Sequence, residues 1–242
     1  MKTFFSLLLF TLCMGNLRSQ DLYTRTQSET LGLPSFITKR TNATTITYYK
    51  KNKLKIEIST MDSKQTNLLT EQGASILNQI GPDKNCGQFT REEMNADSLE
   101  IDAVVTDVKI EKTEETKTIL GYTCKKIIIR YKISQVTTYA SEMRLWCTDE
   151  VKLPSGAKLP ELNKRNALTV AIMNLNSFPL ETETLMELNN VSTVSKVVEL
   201  STKEIDEEVF TMNPKDCKKP LNLKDYKAML LKRQHQAQMM SR

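Results

Sequence analysis

The sequence has few of the residues on which enzyme sites depend. It contains one histidine, His235, and one tryptophan among 242 residues. It has no G-x-S-x-G elbow and no H-E-x-x-H pair, and its seven glycines form neither a Walker nor a dinucleotide-binding pattern. A Ser/His or Cys/His pair would have to use His235, which lies in the C-terminal tail. We therefore predict a non-enzymatic protein without a catalytic residue or a cofactor.

Positive charge is not concentrated anywhere along the chain. The 34 lysines and arginines are spread among 29 acidic residues, which gives a formal net charge of +5. Nucleic-acid binding needs a clustered basic stripe, so we do not expect nucleic acid as a partner. Hydrophobic content of 39% and charged content of 26% are ordinary for a globular protein.

Long apolar runs are also scarce, and the only one lies at the N-terminus. Lys2 precedes an apolar stretch from Phe4 to Leu12, and polar residues lead to a cleavage site before Asp21. Residues 1–20 are therefore predicted to be a signal peptide, and the mature chain to have no transmembrane segment. We expect export to the periplasm, the outer cell envelope or the extracellular space. Lipidation of Cys13 is not expected, because Leu12 stands where a small residue is needed.

Cysteines are few but even in number once Cys13 is set aside. An exported chain with four cysteines predicts disulfides, and three connectivities are open. No C-x-x-C pair occurs, so a zinc site lacks its usual ligand spacing and no metal is expected. The disulfide candidates are Cys86, Cys124, Cys147 and Cys217.

The strongest secondary-structure signal is alternation of apolar and polar residues, which is typical of half-buried strands. Hairpins without helical crossovers predict an antiparallel sheet throughout, and nine or more strands must curl or split. We predict a mainly β fold, a curved antiparallel sheet or half-barrel, as one domain over 21–221. The predicted strand segments are 45–60 (turning at 51–53), 66–70, 74–80, 99–112, 119–148 and 182–201.

The remaining segments are predicted to be loops or short helices. Residues 21–45 look like a loose entry segment, and Lys112–Lys117 like a charged turn. Residues 91–97 are interpreted as a helical turn or a loop, 152–166 as a long loop or flap, and 168–173 as a strand or short helix. The tail, 222–242, is predicted to be helical or disordered, with Asn222 as a helix cap and Tyr226, Met229 and Leu230 on one face.

The hairpin at 119–148 allows two registers. If Cys124 faces Cys147, then Ile127 faces Arg144, and the apolar residues of one arm do not pair with those of the other. A slip by one residue pairs Ile127 with Leu145, Ile129 with Met143, and Arg130 with Glu142, but it places the two cysteines on opposite faces. A β-bulge near the base of the arms would reconcile both patterns. If Cys124–Cys147 forms, Cys86–Cys217 follows.

Four segments together resemble a known family. Lys112–Lys125, Met143–Leu153, Phe178–Glu181 and Asp206–Lys215 are similar, in order and spacing, to blocks of the bacterial domain-of-unknown-function 4412 family. That family is similar to the LolA-like superfamily and to the GLPGLI proteins of Bacteroidetes. The resemblance implies a half-barrel with helices on the concave side, and export. LolA-like relatives bind acyl chains or lipoproteins in that concavity.

The resulting hypothesis is an exported binding module that holds a lipid, an acyl chain or a lipidated partner in an apolar concavity. The alternative is a cell-envelope or secreted interaction scaffold with a filled core and no small ligand. Either role is compatible with the apolar residues of the strands, which could equally be core packing. The candidate cavity residues are Ile127, Ile129, Tyr131, Met143, Leu145, Phe178 and Leu180.

Overall fold

The computed structural model describes residues 21–96, 104–134, 138–152, 168, 171–172, 174–186, 191–212, 217, 219–229 and 232. Its centre is one open sheet of eleven strands in the order β6-β5-β4-β3-β2-β1-β11-β10-β9-β8-β7, and every neighbouring pair is antiparallel. The prediction of a mainly β, antiparallel fold with few helices is confirmed.

The strands are β1 (Leu22–Leu31), β2 (Ala43–Lys50), β3 (Lys53–Ser59), β4 (Ser63–Leu69), β5 (Gly73–Ile80), β6 (Asp83–Thr90), β7 (Val104–Ile119), β8 (Tyr122–Ser134), β9 (Thr138–Thr148), β10 (Phe178–Met186) and β11 (Val191–Ser201). The helices are α1 (Ser35–Thr41), α2 (Arg91–Ala96), a 3-10 turn (Glu207–Phe210) and α3 (residues 223–229). Leu168, Ala171 and Ile172 are also helical. The predicted loop at 152–166 lies outside the described residues, apart from Lys152.

The entry segment 21–45 is not loose, and this expectation was wrong. Leu22–Leu31 forms β1, the strand that joins the two halves of the sheet by pairing with β2 on one side and β11 on the other. Its sequence is polar on both faces, so apolar alternation gives little signal. Its buried face consists of Leu22 followed by threonines, and Thr24 is 4% exposed.

The charged segment Lys112–Lys117 is not a turn either. It continues β7, with a register irregularity between Lys112 and Thr116. The chain reverses later, at Leu120-Gly121, where both residues have positive φ (52° and 85°) and form a two-residue hairpin loop. Because β7 is an edge strand, its exposed charges also discourage pairing with another chain.

The long hairpin has the register that pairs the apolar residues. Ile127 lies opposite Leu145, Ile129 opposite Met143, and Arg130 opposite Glu142, with no irregularity between β8 and β9. Cys124 and Cys147 therefore point to opposite faces of the sheet, and both are free, buried thiols. The candidate Cys124–Cys147 pairing and its reconciling bulge are not formed.

Cys86 and Cys217 form the other candidate disulfide, which fastens the far edge of the sheet. Next to it, the Leu221 N–H donates to the Cys86 carbonyl (2.9 Å), and the Gln88 N–H donates to the Leu221 carbonyl (3.1 Å). These two hydrogen bonds thus pair some of the backbone N–H and C=O groups at the edge of β6. Their partner, Leu221, directly precedes α3 and its cap. The predicted cap is confirmed, because Asn222 Oδ1 accepts from the Asp225 N–H at 2.9 Å.

Candidate functional site

The sheet separates charged from uncharged side chains onto its two faces. Residues paired across neighbouring strands share a face, so each ladder row can be followed through the sheet. One row consists of Leu200, Thr24, Thr47, Ile56, Asn67 and Ile76. A second row consists of Ile127, Leu145, Thr182, Ser195, Ser28 and Ala43. In the described parts of β1–β5 and β9–β11, this face carries no charged residue. We call it the uncharged face.

The opposite face, here the charged face, carries ladders of ion pairs. The Arg130 guanidinium donates to Glu142 (2.9 Å) and Glu111 (2.7 Å), and Arg144 donates to Glu142 (2.7 Å) and Glu183 (3.2 Å). These pairs are partly exposed, so each is worth about 0–1 kcal/mol. These pairs help to fix the order of the strands and keep the charged face soluble. None of their side chains lies on the uncharged face.

At the β8–β9 side, the uncharged face is filled by the protein's own side chains. Four of the candidate cavity residues, Ile127, Ile129, Tyr131 and Leu145, are only 0–6% exposed. They form one cluster with Cys147 and Leu175, against which Met143, Leu168 and Ile172 pack. Leu168, Ile172 and Leu175 therefore cover this side of the sheet.

The structure does not place Phe178 and Leu180 with the other five candidates. Phe178 lies opposite Thr148 on the charged face, and a bulge at Leu180 shifts the register between β9 and β10. Leu180 is fully buried in a separate cluster with Cys124 and Val197. The seven candidates thus belong to two packed clusters and do not line one concavity.

At the other side of the sheet, α3 covers the uncharged face. Leu223 and Tyr226 pack on Ala74, Phe89 and Met94. The rings of Phe89 and Tyr226 meet at 5.4 Å in an edge-to-face arrangement, and Asn78 Nδ2 donates to the Tyr226 hydroxyl at 2.5 Å. A Cβ on Gly87 would lie 2.3 Å from the Phe89 ring, so a larger residue there would displace this ring.

Between the two covered sides lies a middle band of β1–β3, lined by hydroxyl and aliphatic groups. Tyr49 is its most distinctive member, because burial raises the pKa of its phenol to about 12. The Tyr49 hydroxyl makes no hydrogen bond to a described residue, and burial alone accounts for the raised pKa. The middle band consists of Leu22, Thr24, Thr26, Thr45, Thr47, Tyr49, Leu54, Ile56 and Ile58.

Sequence reasoning missed the middle band because it treated residues 21–45 as a loop. The signal was nevertheless present. In β1 and β2, the residues at alternate positions on one side are leucine, threonine, serine, alanine and tyrosine only, whereas the other side includes Arg25, Glu29 and Lys50. Period-two segregation of charge marks a face just as period-two hydrophobicity does.

The charged face has its own cavity, of about 670 Å³, at the end of β1, β2 and β11. Its lining is of mixed polarity: it includes Gln27, Glu29 and Lys196, and also Leu31, Val194 and Val198. The Asn42 Oδ1 atom is buried without a hydrogen-bond partner among the described residues. The charged groups of Glu29 and Lys196 disfavour burial of an apolar chain against them.

The two free thiols give a direct test of the register. With Cys13 replaced by serine, the native chain should show no thiol that reacts within minutes at pH 8. Cys124 is 0% and Cys147 3% exposed, and burial raises the pKa of the Cys147 thiol to about 11, against the weaker opposing effect of the Ser177 hydroxyl. Unfolding without reductant should expose two thiols, and unfolding with reductant four. A count of zero in the unfolded, unreduced chain would mean that Cys124 and Cys147 are bonded.

The described part of the chain contains no group of three or more His, Cys, Asp or Glu side chains that could hold a metal ion. None of its helices is both long and apolar enough to cross a membrane.

Comparison with solved structures returned distant similarities. The lipoprotein LppX of Mycobacterium tuberculosis matches with 12% identity and a TM-score of 0.37, over 81% of this chain and 92% of that one. A LolA superfamily protein from Nitrosomonas europaea matches with 8% identity and a TM-score of 0.36, over 81% and 91%. A putative outer membrane lipoprotein-sorting protein domain from Vibrio parahaemolyticus matches with 9% identity and a TM-score of 0.32, over 84% and 94%.

Comparison with protein families was more decisive. No curated protein matches the chain. One family model matches residues 35–217, which is more than half of the chain and includes every strand except β1. The chain belongs to the DUF4412 family, whose description is a domain of unknown function.

Proposed function

We propose that this chain is an exported, non-enzymatic binding module that holds an apolar ligand on its uncharged face. The ligand class is a lipid, an acyl chain or the lipid group of a lipidated partner. The observation that carries the proposal is the exclusion of charge from the uncharged face across β1–β5 and β9–β11. Water-facing strands do not need such an exclusion, whereas a face against hydrocarbon does.

The proposed contact surface is the partly exposed part of the middle band, Thr26, Thr45, Tyr49, Ile56 and Ile58, whereas Leu22, Thr24, Thr47 and Leu54 are buried. Each methylene group that an acyl chain buries there contributes about 0.8 kcal/mol of transfer free energy. An uncompensated charge on the same surface would cost several kcal/mol, because it would lose its hydration. The Tyr49 hydroxyl offers one polar contact, suited to a carbonyl or carboxyl oxygen at the end of an acyl chain.

The alternative, an interaction scaffold with a filled core, also has an observation in its favour. Ile127, Ile129, Tyr131 and Leu145 are packed as a core and leave no room for a ligand at the β8–β9 side. The two functions differ in the partly exposed residues of the middle band: a ligand site needs them uncharged, whereas a scaffold needs this only of the buried ones.

A pair of adjacent substitutions tests the proposal. Thr45 and Thr44 are the same residue type with similar partial burial, on the same strand but on opposite faces of the sheet. Thr45→Lys should weaken binding of a fluorescent fatty acid at least tenfold, because it places a charge in the middle band. Thr44→Lys, in the cavity of the charged face, should leave binding unchanged.

The fluorescence titration is read together with native mass spectrometry of protein purified from its own host. Copurifying lipid that Thr45→Lys removes and Thr44→Lys retains is the expected result. Loss of the lipid in Thr44→Lys but not in Thr45→Lys would place the ligand in the cavity of the charged face. No copurifying lipid and no fatty-acid binding by the unsubstituted chain would favour the scaffold.

A further inference from the structure

Exposed apolar side chains are concentrated at one end of the sheet. The described residues include six large hydrophobic side chains that are well exposed, and four of them lie here: Leu31 (43%), Phe36 (67%), Met61 (74%) and Ile80 (49%). Leu31 ends β1, Phe36 lies on α1, Met61 lies between β3 and β4, and Ile80 ends β5. In an antiparallel meander these positions share one end of the sheet. We call it the apolar end.

Asp62 holds three parts of the apolar end together. Its carboxylate accepts from Arg40 Nε at 2.7 Å, which ties α1 to the β3–β4 turn. Its carbonyl accepts from the Gly81 N–H at 3.2 Å, which ties the β5–β6 turn to the same point. The apolar side chains are therefore presented from one connected surface, although each sits in a different segment.

The helix α1 has no packing role that would explain Phe36. None of its residues is buried, and its N-cap makes no side-chain hydrogen bond. A seven-residue helix with a solvent-facing phenylalanine is not stabilised by its own propensity. Its contacts to the rest of the chain include the Arg40–Asp62 pair and the hydrogen bond from the Thr38 hydroxyl to the Leu33 carbonyl.

The two ends of the sheet differ in charge. Segments 31–43, 59–64 and 79–84, which form the apolar end, carry four cations and two anions. The cations are Lys39, Arg40, Lys64 and Lys84. At the opposite end, Asp149 and Glu150 follow β9, and Glu204, Asp206, Glu207 and Glu208 follow β11. Lys50, Lys51 and Lys53 of the β2–β3 turn lie at the same end, and Lys50 and Lys53 pair with Glu207, so these six acidic residues outnumber the lysines of that turn.

We propose that the apolar end docks on the surface of an anionic lipid bilayer. Single protruding apolar side chains with cations between them match an interfacial mode of binding, in which the apolar tips enter the acyl boundary and the cations meet anionic headgroups. The acidic opposite end then faces away from the membrane. The four apolar side chains stand in separate segments, and charged and polar residues lie between them in the sequence. The inference does not depend on the middle band holding a ligand.

Cosedimentation with vesicles of the mature chain, without the predicted signal peptide 1–20, tests this. Vesicles of three parts phosphatidylcholine to one part phosphatidylglycerol should bind the chain, and pure phosphatidylcholine vesicles should bind it more weakly. Phe36→Ser and Met61→Ser should each lower the partition coefficient about tenfold, since each removes an inserted apolar side chain. Lys39→Gln should weaken binding to the anionic vesicles only. Thermal melts confirm that each variant is folded.

The matched control is Leu120→Asn. Leu120 is also well exposed (45%) but lies in the β7–β8 turn at the opposite end, where asparagine tolerates the positive φ. It should bind vesicles as the unsubstituted chain does. No vesicle binding, or equal losses for Leu120→Asn and Phe36→Ser, would overturn the proposal. Concentration-dependent self-association that Phe36→Ser removes would assign the surface to a second copy of the chain.

The same panel separates this inference from the proposed ligand function. Thr45→Lys should lose fatty-acid binding in solution but still sediment with vesicles. Phe36→Ser should show the reverse pattern. If one proposal fails, the same variants therefore still test the other.

Discussion

Loss of the Cys86–Cys217 disulfide should lower the free energy of unfolding by about 5 kcal/mol. The two cysteines are 131 residues apart in the sequence. Closing a loop of that length removes conformational entropy from the unfolded chain, and the chain-entropy model gives about 5 kcal/mol for it. The bond also joins the edge of β6 to the segment before α3, so its loss should loosen the cover on Phe89 and Ala74.

Urea unfolding of Cys86→Ser/Cys217→Ser, beside the unsubstituted chain with and without reductant, measures this effect. The double variant and the reduced chain should have matching midpoints, and reductant should not shift the midpoint of the double variant further. The control is Cys124→Ser, which removes one of the two free thiols but should keep its sensitivity to reductant. If Cys124→Ser abolished the response to reductant, the disulfide would belong to Cys124.

The hairpin register could be predicted from the sequence because one rule decided it. A slip by one residue exchanges the faces of all side chains, and only one register places Ile127 and Ile129 against apolar partners and Arg130 against Glu142. Bonding Cys124 to Cys147 would have required the worse register or a β-bulge near the base of the arms, and neither is present. Burial of apolar area along the whole hairpin outweighed a single possible cross-link.

The positions of β1 and of the end of β7 could not be predicted in the same way. The sequence of β1 is polar on both faces, and its place in the sheet is set by β2 and β11, which meet it from distant parts of the chain. In β7, the charged residues resemble a turn locally. They are tolerated in a strand because an edge strand has solvent on one side.

The proposed contact surface differs from the predicted one for a related reason. Alternation along a strand identifies the residues that share a face, but it does not identify the segment that packs on that face. Leu168, Ile172 and Leu175 come from a region whose pattern allowed either a strand or a helix, and they cover the five β8–β9 candidates. The uncharged middle band became visible only when β1 was placed between β2 and β11.

Replacement of Ile129 by alanine should cost about 2–5 kcal/mol of stability, the range for large-to-small substitutions in packed cores. Ile129 is 0% exposed in the cluster covered by Leu168, Ile172 and Leu175. Its cross-strand partner on β7 is Ile110, the same residue type on the same face, but 44% exposed at the sheet edge. Ile110→Ala should therefore cost about 1 kcal/mol or less, since little area leaves contact with the protein.

Urea unfolding of the two variants with the disulfide intact gives the comparison. A large difference between Ile129→Ala and Ile110→Ala means that the β8–β9 side of the uncharged face is core, and that a ligand must use the middle band. Similar small losses, together with tighter fatty-acid binding by Ile129→Ala, would mean that the segment around Leu168 opens and that the β8–β9 side is itself the ligand site. The free energy of unfolding thus decides where on the uncharged face a ligand can lie.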